Sequence, residues 1–186
     1  PDALTPRPGA RSPSHARAPP MMAANTNTAG TPAQATGETT DYVTVLLGDE
    51  LFGLPIDRVH DVFIATNLTD VPLSPPEIKG LLNLRGRVVT ALCLRRRLGL
   101  PDRTGDGRNM AVGLEHGGEA YGLLVDQVGE VMKLANDTYE PNPVHLDTRW
   151  RAVSRGVHRL DGRLLIILDV EAVLAFGDER PAATAA

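Results

Sequence analysis

The sequence predicts a mainly β protein built as two small five-stranded barrels packed together, with few and short helices. Three observations carry this reading. Aromatic residues make up only 4% of the 186-residue chain, so Val, Leu and Ile must fill the core, and these suit strands. Apolar runs are short and bounded by turn signals; the most strongly apolar one, Leu164-Leu165-Ile166-Ile167-Leu168, is strand-sized. The chain also repeats itself. Phe52-Gly53-Leu54-Pro55-Ile56-Asp57-Arg58-Val59-His60-Asp61-Val62 aligns with Tyr121-Gly122-Leu123-Leu124-Val125-Asp126-Gln127-Val128-Gly129-Glu130-Val131 at an offset of 69. Gly80–Val89 aligns with Gly156–Leu165 at an offset of 76, in the same order along the chain. Glycines and acids match as well as hydrophobics, which disfavours chance similarity among apolar strands.

Each copy opens on a hairpin. Tyr42–Leu47 and Leu51–Ile56 flank the turn at Gly48-Asp49-Glu50. Met110–Leu114 and Ala120–Val125 repeat that arrangement around His116-Gly117-Gly118. A second hairpin follows in each copy. Gly80–Leu84 and Arg87–Leu92 flank Arg85-Gly86, and Val157–Leu160 and Arg163–Leu168 flank Asp161-Gly162. Asp-Gly predicts a type I′ turn. Short helices close the copies. Leu94–Leu98 stops at Gly99 with Pro101 behind it, and Asp169–Leu174 starts on Asp169 as N-cap. The residue aligned with Asp169 is Cys93, a poor cap.

Residues 1–40 read as a disordered tail. They hold seven of the 15 prolines, and their only large apolar side chains are Leu4, Met21 and Met22. The tail lacks the apolar core of about 7–15 residues that a signal peptide needs. The chain opens on Pro1, and Met21 or Met22 is a candidate natural start. The folded domain is placed at 41–177, with copies at roughly 41–105 and 106–177 unless strands are exchanged between them, and 178–186 as a flexible C-terminus. The tail carries +1 and the remaining 146 residues −5, within a net charge of −4. That balance argues against a general nucleic-acid binder and against a polybasic membrane-surface protein. No run approaches the roughly 20 apolar residues of a membrane span, so no direct membrane insertion is expected.

Little in the sequence announces catalysis. The five histidines (His15, His60, His116, His145 and His158) show no metal-ligand spacing, and none neighbours Cys93. Cys93 ends an apolar strand and reads as a small buried hydrophobe; a hydrolase built on it lacks a base. No phosphate-cradling glycine loop and no nucleophile elbow is present. Neither cofactor nor metal is expected. Arg95-Arg96-Arg97 reads as the solvated face of one helical turn. The two second hairpins align closely but differ at their turns. The first offers Asn83, Arg85 and Arg87 around Gly86; the second offers Arg159, Asp161 and Arg163 around Gly162. An arginine held at a hairpin tip can reach a partner's carboxylate, or meet only water. The residues alone leave both open.

Pro76-Glu77-Ile78-Lys79-Gly80-Leu81-Leu82-Asn83-Leu84-Arg85-Gly86-Arg87-Val88-Val89 resembles the signature segment of the CheW family, the coupling scaffolds of bacterial chemosensory arrays. Val128-Gly129-Glu130-Val131 supports this, and the resemblance runs from about Asp41 to Phe176. It implies two SH3-like five-stranded β-barrels packed together over a shared hydrophobic interface, with short helices and no enzymatic activity. It implies binding to the regulatory domain of a CheA-type histidine kinase and to the cytoplasmic tip of methyl-accepting chemoreceptors. It implies a cytoplasmic protein held at membrane receptor arrays through those partners. Carried over residue by residue, Val59 and Asp61 match the segment linked to kinase contact. Gly80, Asn83, Arg85 and Gly86 match the signature that shapes the coupling surface. Coupling needs exposed apolar surface, for which Val59, Val62, Phe63 and Ile64 are candidates. The chain departs from the family at Thr90-Ala91-Leu92-Cys93-Leu94-Arg95, where Cys93 replaces the usual acidic cap. That departure keeps open a divergent coupler of a non-flagellar chemosensory pathway. An SH3-like barrel binding a small-molecule ligand is the rival from another class. With ten residues after Phe176, neither a kinase nor a receiver domain is expected in the chain.

Overall fold

The computed structural model describes residues 37–103 and 109–175. The expectations placed on residues 1–36, including Met21, Met22 and His15, and on 178–186 lie outside the described residues. Among the described residues eleven strands carry the fold: β1 (Thr39–Leu47), β2 (Glu50–Pro55), β3 (Val59–Ile64), β4 (Ile78–Leu84), β5 (Arg87–Cys93), β6 (Met110–His116), β7 (Glu119–Val125), β8 (Gln127–Ala135), β9 (Tyr139–Glu140), β10 (Ser154–Leu160) and β11 (Arg163–Leu168). Three short helices join them: α1 (Leu94–Arg97), α2 (Thr148–Ala152) and α3 (Val170–Leu174). Thr39 and Thr40, read as tail, already belong to β1, where they pair with Ala135 and Leu134.

Both sheets are built by exchange between the copies. The first runs β8-β1-β2-β11-β10-β9 and the second β3-β6-β7-β5-β4. Under the repeat, β8-β1-β2-β11-β10 corresponds strand for strand to β3-β6-β7-β5-β4. Parallel pairs, β11 on β2 and β5 on β7, make the exchange. The copies at 41–105 and 106–177 are therefore not the two sheets. Only β9 is extra. Bulges fall at matched places, Ile78/Gly80 in β4 and Ser154/Gly156 in β10. Both glycines are needed for a close approach. A Cβ on Gly80 would lie 2.5 Å from the Thr69 carbonyl oxygen, and one on Gly156 would lie 2.5 Å from that of Glu140.

The largest core cluster draws on both sheets, with Phe52, Leu54 and Leu168 from one meeting Leu92, Leu123 and Val112 from the other. Each sheet keeps a smaller cluster of its own. Cys93 is buried and free, as its place at a strand end suggested. It gives α1 no side-chain cap, whereas Asp169 accepts from the Glu171 and Ala172 amides of α3.

The arginine run is not a solvated face. Arg95 donates to both Asp126 carboxylate oxygens, at 2.8 and 2.5 Å, and to the Pro101 carbonyl. Arg96 holds Asp102, and Arg97 caps α3 by donating to the Ala172, Val173 and Ala175 carbonyls. The guanidinium forks satisfy carbonyls and carboxylates that the helix ends and turns leave bare.

His158 on β10 is 1% exposed and lies against the Tyr42 and Tyr139 rings. The Thr138 hydroxyl donates to Ala135 O at 2.8 Å, so it accepts from His158 Nδ1 at 3.0 Å. That leaves Nε2 as an unprotonated acceptor, buried without a partner. Burial pushes the imidazole pKa below its ordinary 6.5, against a smaller upward pull from Thr138. The unfolded chain therefore binds the extra proton first. Stability is complete above the ordinary value and declines as pH falls through it. Urea midpoints should drop between about pH 7 and pH 5, and His158→Phe should flatten that slope.

Candidate protein-docking site

The β4–β5 hairpin closes through a two-residue turn, Leu84 pairing with Arg87 across Arg85-Gly86. Both turn residues have positive φ, 54° at Arg85 and 86° at Gly86, the type I′ arrangement whose twist matches paired strands. An arginine there costs about 1–2 kcal/mol, because its Cβ crowds the following carbonyl. Asn83 offsets part of this, its side-chain oxygen accepting from the Gly86 amide at 2.8 Å. The matched hairpin behaves differently. At Asp161-Gly162 only Gly162 has positive φ, so the type I′ turn expected there is found at Arg85-Gly86 instead. Asp161 keeps negative φ because glycine in the second position alone satisfies the turn.

Arg85 is exposed and lines a cavity of about 210 Å³ over the second sheet, together with Asp61, Phe63, Arg87, Glu115 and Tyr121. Phe63 gives it an apolar side. Arg87 pairs with Glu115 at 3.4 Å, and the Tyr121 hydroxyl donates to Glu119 at 2.7 Å, which raises the Tyr121 pKa. Asp61 sits on β3, at a bulge against β6, and its carboxylate occupies the space above Gly113. Any side chain at Gly113 would expel it. Arg85 and Asp61 thus face one concavity with opposite charges beside an apolar side, an arrangement suited to a protein surface.

The other expected residues divide by role. Asn83 and Gly86 set the turn. Val59 is half-buried and packs on the main core. Gly80 is buried, and its place is to let the 69–70 backbone approach β4. On β3, Val62 and Ile64 are each 44% exposed at the sheet edge, whereas Val59 and Phe63 are half-buried. Sequence reasoning missed Glu115 and Tyr121. A signal existed for the second: Tyr121 replaces Phe52 in the repeat, a hydroxyl where the other copy is fully buried. Among the described residues, no group of three or more His, Cys, Asp or Glu could hold a metal ion. No helix of the described residues is long and apolar enough to cross a membrane.

Comparison with known proteins matches this geometry to one family. The CheW-like domain family matches residues 41–176. The chemotaxis protein CheW of Klebsiella aerogenes is 29% identical over 147 residues, covering 78% of this chain and 89% of that protein. The probable chemotaxis protein CheW of Rhizobium etli is 27% identical over 135 residues, covering 73% and 87%. Among solved structures, the scaffolding protein TtCheW from Thermoanaerobacter tengcongensis superimposes with a TM-score of 0.66 at 30% identity, covering 74% of this chain and 94% of that one. The shared extent takes in both exchanged sheets and the Asn83–Gly86 turn: this chain belongs to the CheW-like domain family.

Proposed function

We propose that the protein is a non-enzymatic scaffold that couples methyl-accepting chemoreceptors to a CheA-type histidine kinase. The adaptor role follows from its family. The partners, the cytoplasmic location at receptor arrays and the contact residues are our reading. The observation that carries it is the Arg85-Gly86 turn: an exposed, backbone-strained arginine held in place by Asn83, opposite Asp61 across an apolar-sided concavity. Strain retained at an exposed charged residue is what a contact surface needs and what folding alone does not. Val59 supports Asp61 from the core, and Gly80 and Gly86 shape the hairpin. Mechanistically, two partners held on one rigid body influence each other only where their binding free energies differ between signalling states. The protein supplies the geometry. A small-molecule role at this site has less support, because its cavity falls below the roughly 300–1,000 Å³ of ligand pockets.

Titration calorimetry against the kinase regulatory domain tests the reading. Wild type should bind in about the micromolar range, and Arg85→Glu should lose about tenfold or more, since it reverses a contact charge. Circular dichroism of the variant should be unchanged, the side chain being exposed. No binding by wild type overturns the reading. Binding that Arg85→Glu keeps moves the interface away from the turn.

A further inference from the structure

We infer that the outer edge of β4 at Asn83 is a docking site for an extended, uncharged segment of a partner protein, which adds to the second sheet as one more strand. The inference rests on the scaffold reading only in that a protein supplies the segment. β4 is the last strand of its sheet. Leu84 and Arg87 close the two-residue turn as a hydrogen-bonded pair, so pairing type alternates down the hairpin. The backbone N–H and C=O of Asn83 and Leu81 therefore point outward, away from β5. At Leu81 they are used: Thr69 exchanges both hydrogen bonds with it, each 2.8 Å. In antiparallel register the residue that would face Asn83 is Asn67. Asn67 instead takes φ 55° and turns the chain aside, so the pairing is a single isolated bridge.

A groove of about 420 Å³ opens where the pairing stops, between Thr66, Asn67 and Thr69 on one side and Leu81, Asn83 and Val88 on the other. None of the side chains lining it is ionisable. Val88 is 64% exposed and stands directly across the hairpin from Asn83. The Asn83 side chain is committed to Gly86 and cannot close its own edge. The repeat supplies an internal control. Its counterpart strand β10 carries β9 for two residues, Val157 with Glu140 and His158 with Tyr139. The counterpart of Asn83 is Arg159, whose Nε holds the Glu140 carboxylate at 2.9 Å. Charge and a covering strand are the usual protections of a sheet edge. β9 covers Val157 as Thr69 covers Leu81, and at Arg159 it has ended; there the ion pair with Glu140 guards the β10 edge, whereas among the described residues the β4 edge at Asn83 carries no charge. An uncharged groove beside a free donor and acceptor suits an extended backbone with apolar or hydroxyl side chains, bound by strand addition.

Amide NMR on the full chain tests this, using a blocked hexapeptide of alternating Thr and Val. In the free protein the Asn83 amide should exchange about a hundredfold faster than that of Leu81. Addition of peptide should shift and protect Asn83. Peptides N-methylated on one alternating set of residues should lose binding by about tenfold or more, and those methylated on the other set should keep it. Val88→Lys, at an exposed position, should fold normally and weaken the peptide to a similar extent. Equal binding by both methylated sets, or shifts confined to other surfaces, overturns the inference. The kinase titration separates the two readings. Kinase binding without any Asn83 response overturns the edge site and leaves the scaffold; strand addition without kinase or receptor binding does the reverse.

Discussion

Leu92→Asp should unfold the protein. Leu92 is 0% exposed, paired with Ile78 on one side and Leu123 on the other, in the cluster that both sheets share. Two costs add. Truncating a buried leucine removes transfer energy and leaves a cavity, about 2–5 kcal/mol. A carboxylate there has no donor or counter-charge, and its desolvation adds several kcal/mol more, or forces it to stay protonated. Together these rival the roughly 5–15 kcal/mol that holds an ordinary domain folded. Circular dichroism at 25 °C should show loss of the β spectrum. Val88→Asp is the control. It lies on the same strand and keeps the same alternation, yet it is 64% exposed, and it should cost about 1 kcal/mol or less. A folded Leu92→Asp would mean the two sheets do not depend on their common core.

The second large effect is expected from Asp126→Ala. Asp126 sits between β7 and β8 and accepts from Arg95 in the second sheet's helix and from the Gly48 amide in the first sheet's β1–β2 turn. Both side chains are mostly covered, at 15% and 16% exposure. Removing the carboxylate leaves a guanidinium with little water, and a loss of about 2–4 kcal/mol follows. Pairing Asp126→Ala with Arg95→Met should recover part of it, because the uncompensated charge goes too. The Arg95 hydrogen bond holds the Asp126 carboxyl below the usual carboxylate range, against the upward push of burial. Its folded pKa is thus below its unfolded one, and the stabilisation is present above that range and lost as pH falls through the folded value. The gap in urea stability between wild type and Asp126→Ala should accordingly shrink toward about pH 3. A gap that is constant with pH would show that Asp126 acts by shape and not by charge.

The two predictions show which levels of the structure were legible in advance. The repeat placed acids at Asp57 and Asp126 alike, but only Asp126 meets an arginine. The residue matched to Arg95 is Glu171, and the ion pair in that copy is reversed, Arg58 reaching Glu171 at 3.3 Å on a far more exposed surface. β3 and β8 lay inside the aligned blocks without standing out as strands, since in Val59–Ile64 the bulge and the edge position put Asp61 on the half-buried side and Val62 and Ile64 on the exposed one, against a clean apolar-in, polar-out alternation. α2 was missed because a five-residue helix capped by Asp147 carries too little periodicity to be seen.

By itself the sequence determined the β class, the hairpins and the positions of their turns, the Asp169 cap, the twofold repeat and the family. These are local: alternation, glycine placement and capping act within a few residues of chain. It left open which copy's strands would pair, because β2 and β7 share one pattern and either could lie beside β5 or β11. Tertiary structure decided that by exchange, which buries one face of the strands in a core common to the two sheets and the other in each sheet's own cluster. The same packing decided that the arginine run is structural and that Val59 supports the core while Asp61 meets Arg85's cavity. It also left the β4 edge uncharged at Asn83, where β10 carries the Arg159–Glu140 ion pair. Contacts between residues tens of positions apart rest on complementary shape and charge, and no short-range pattern encodes them.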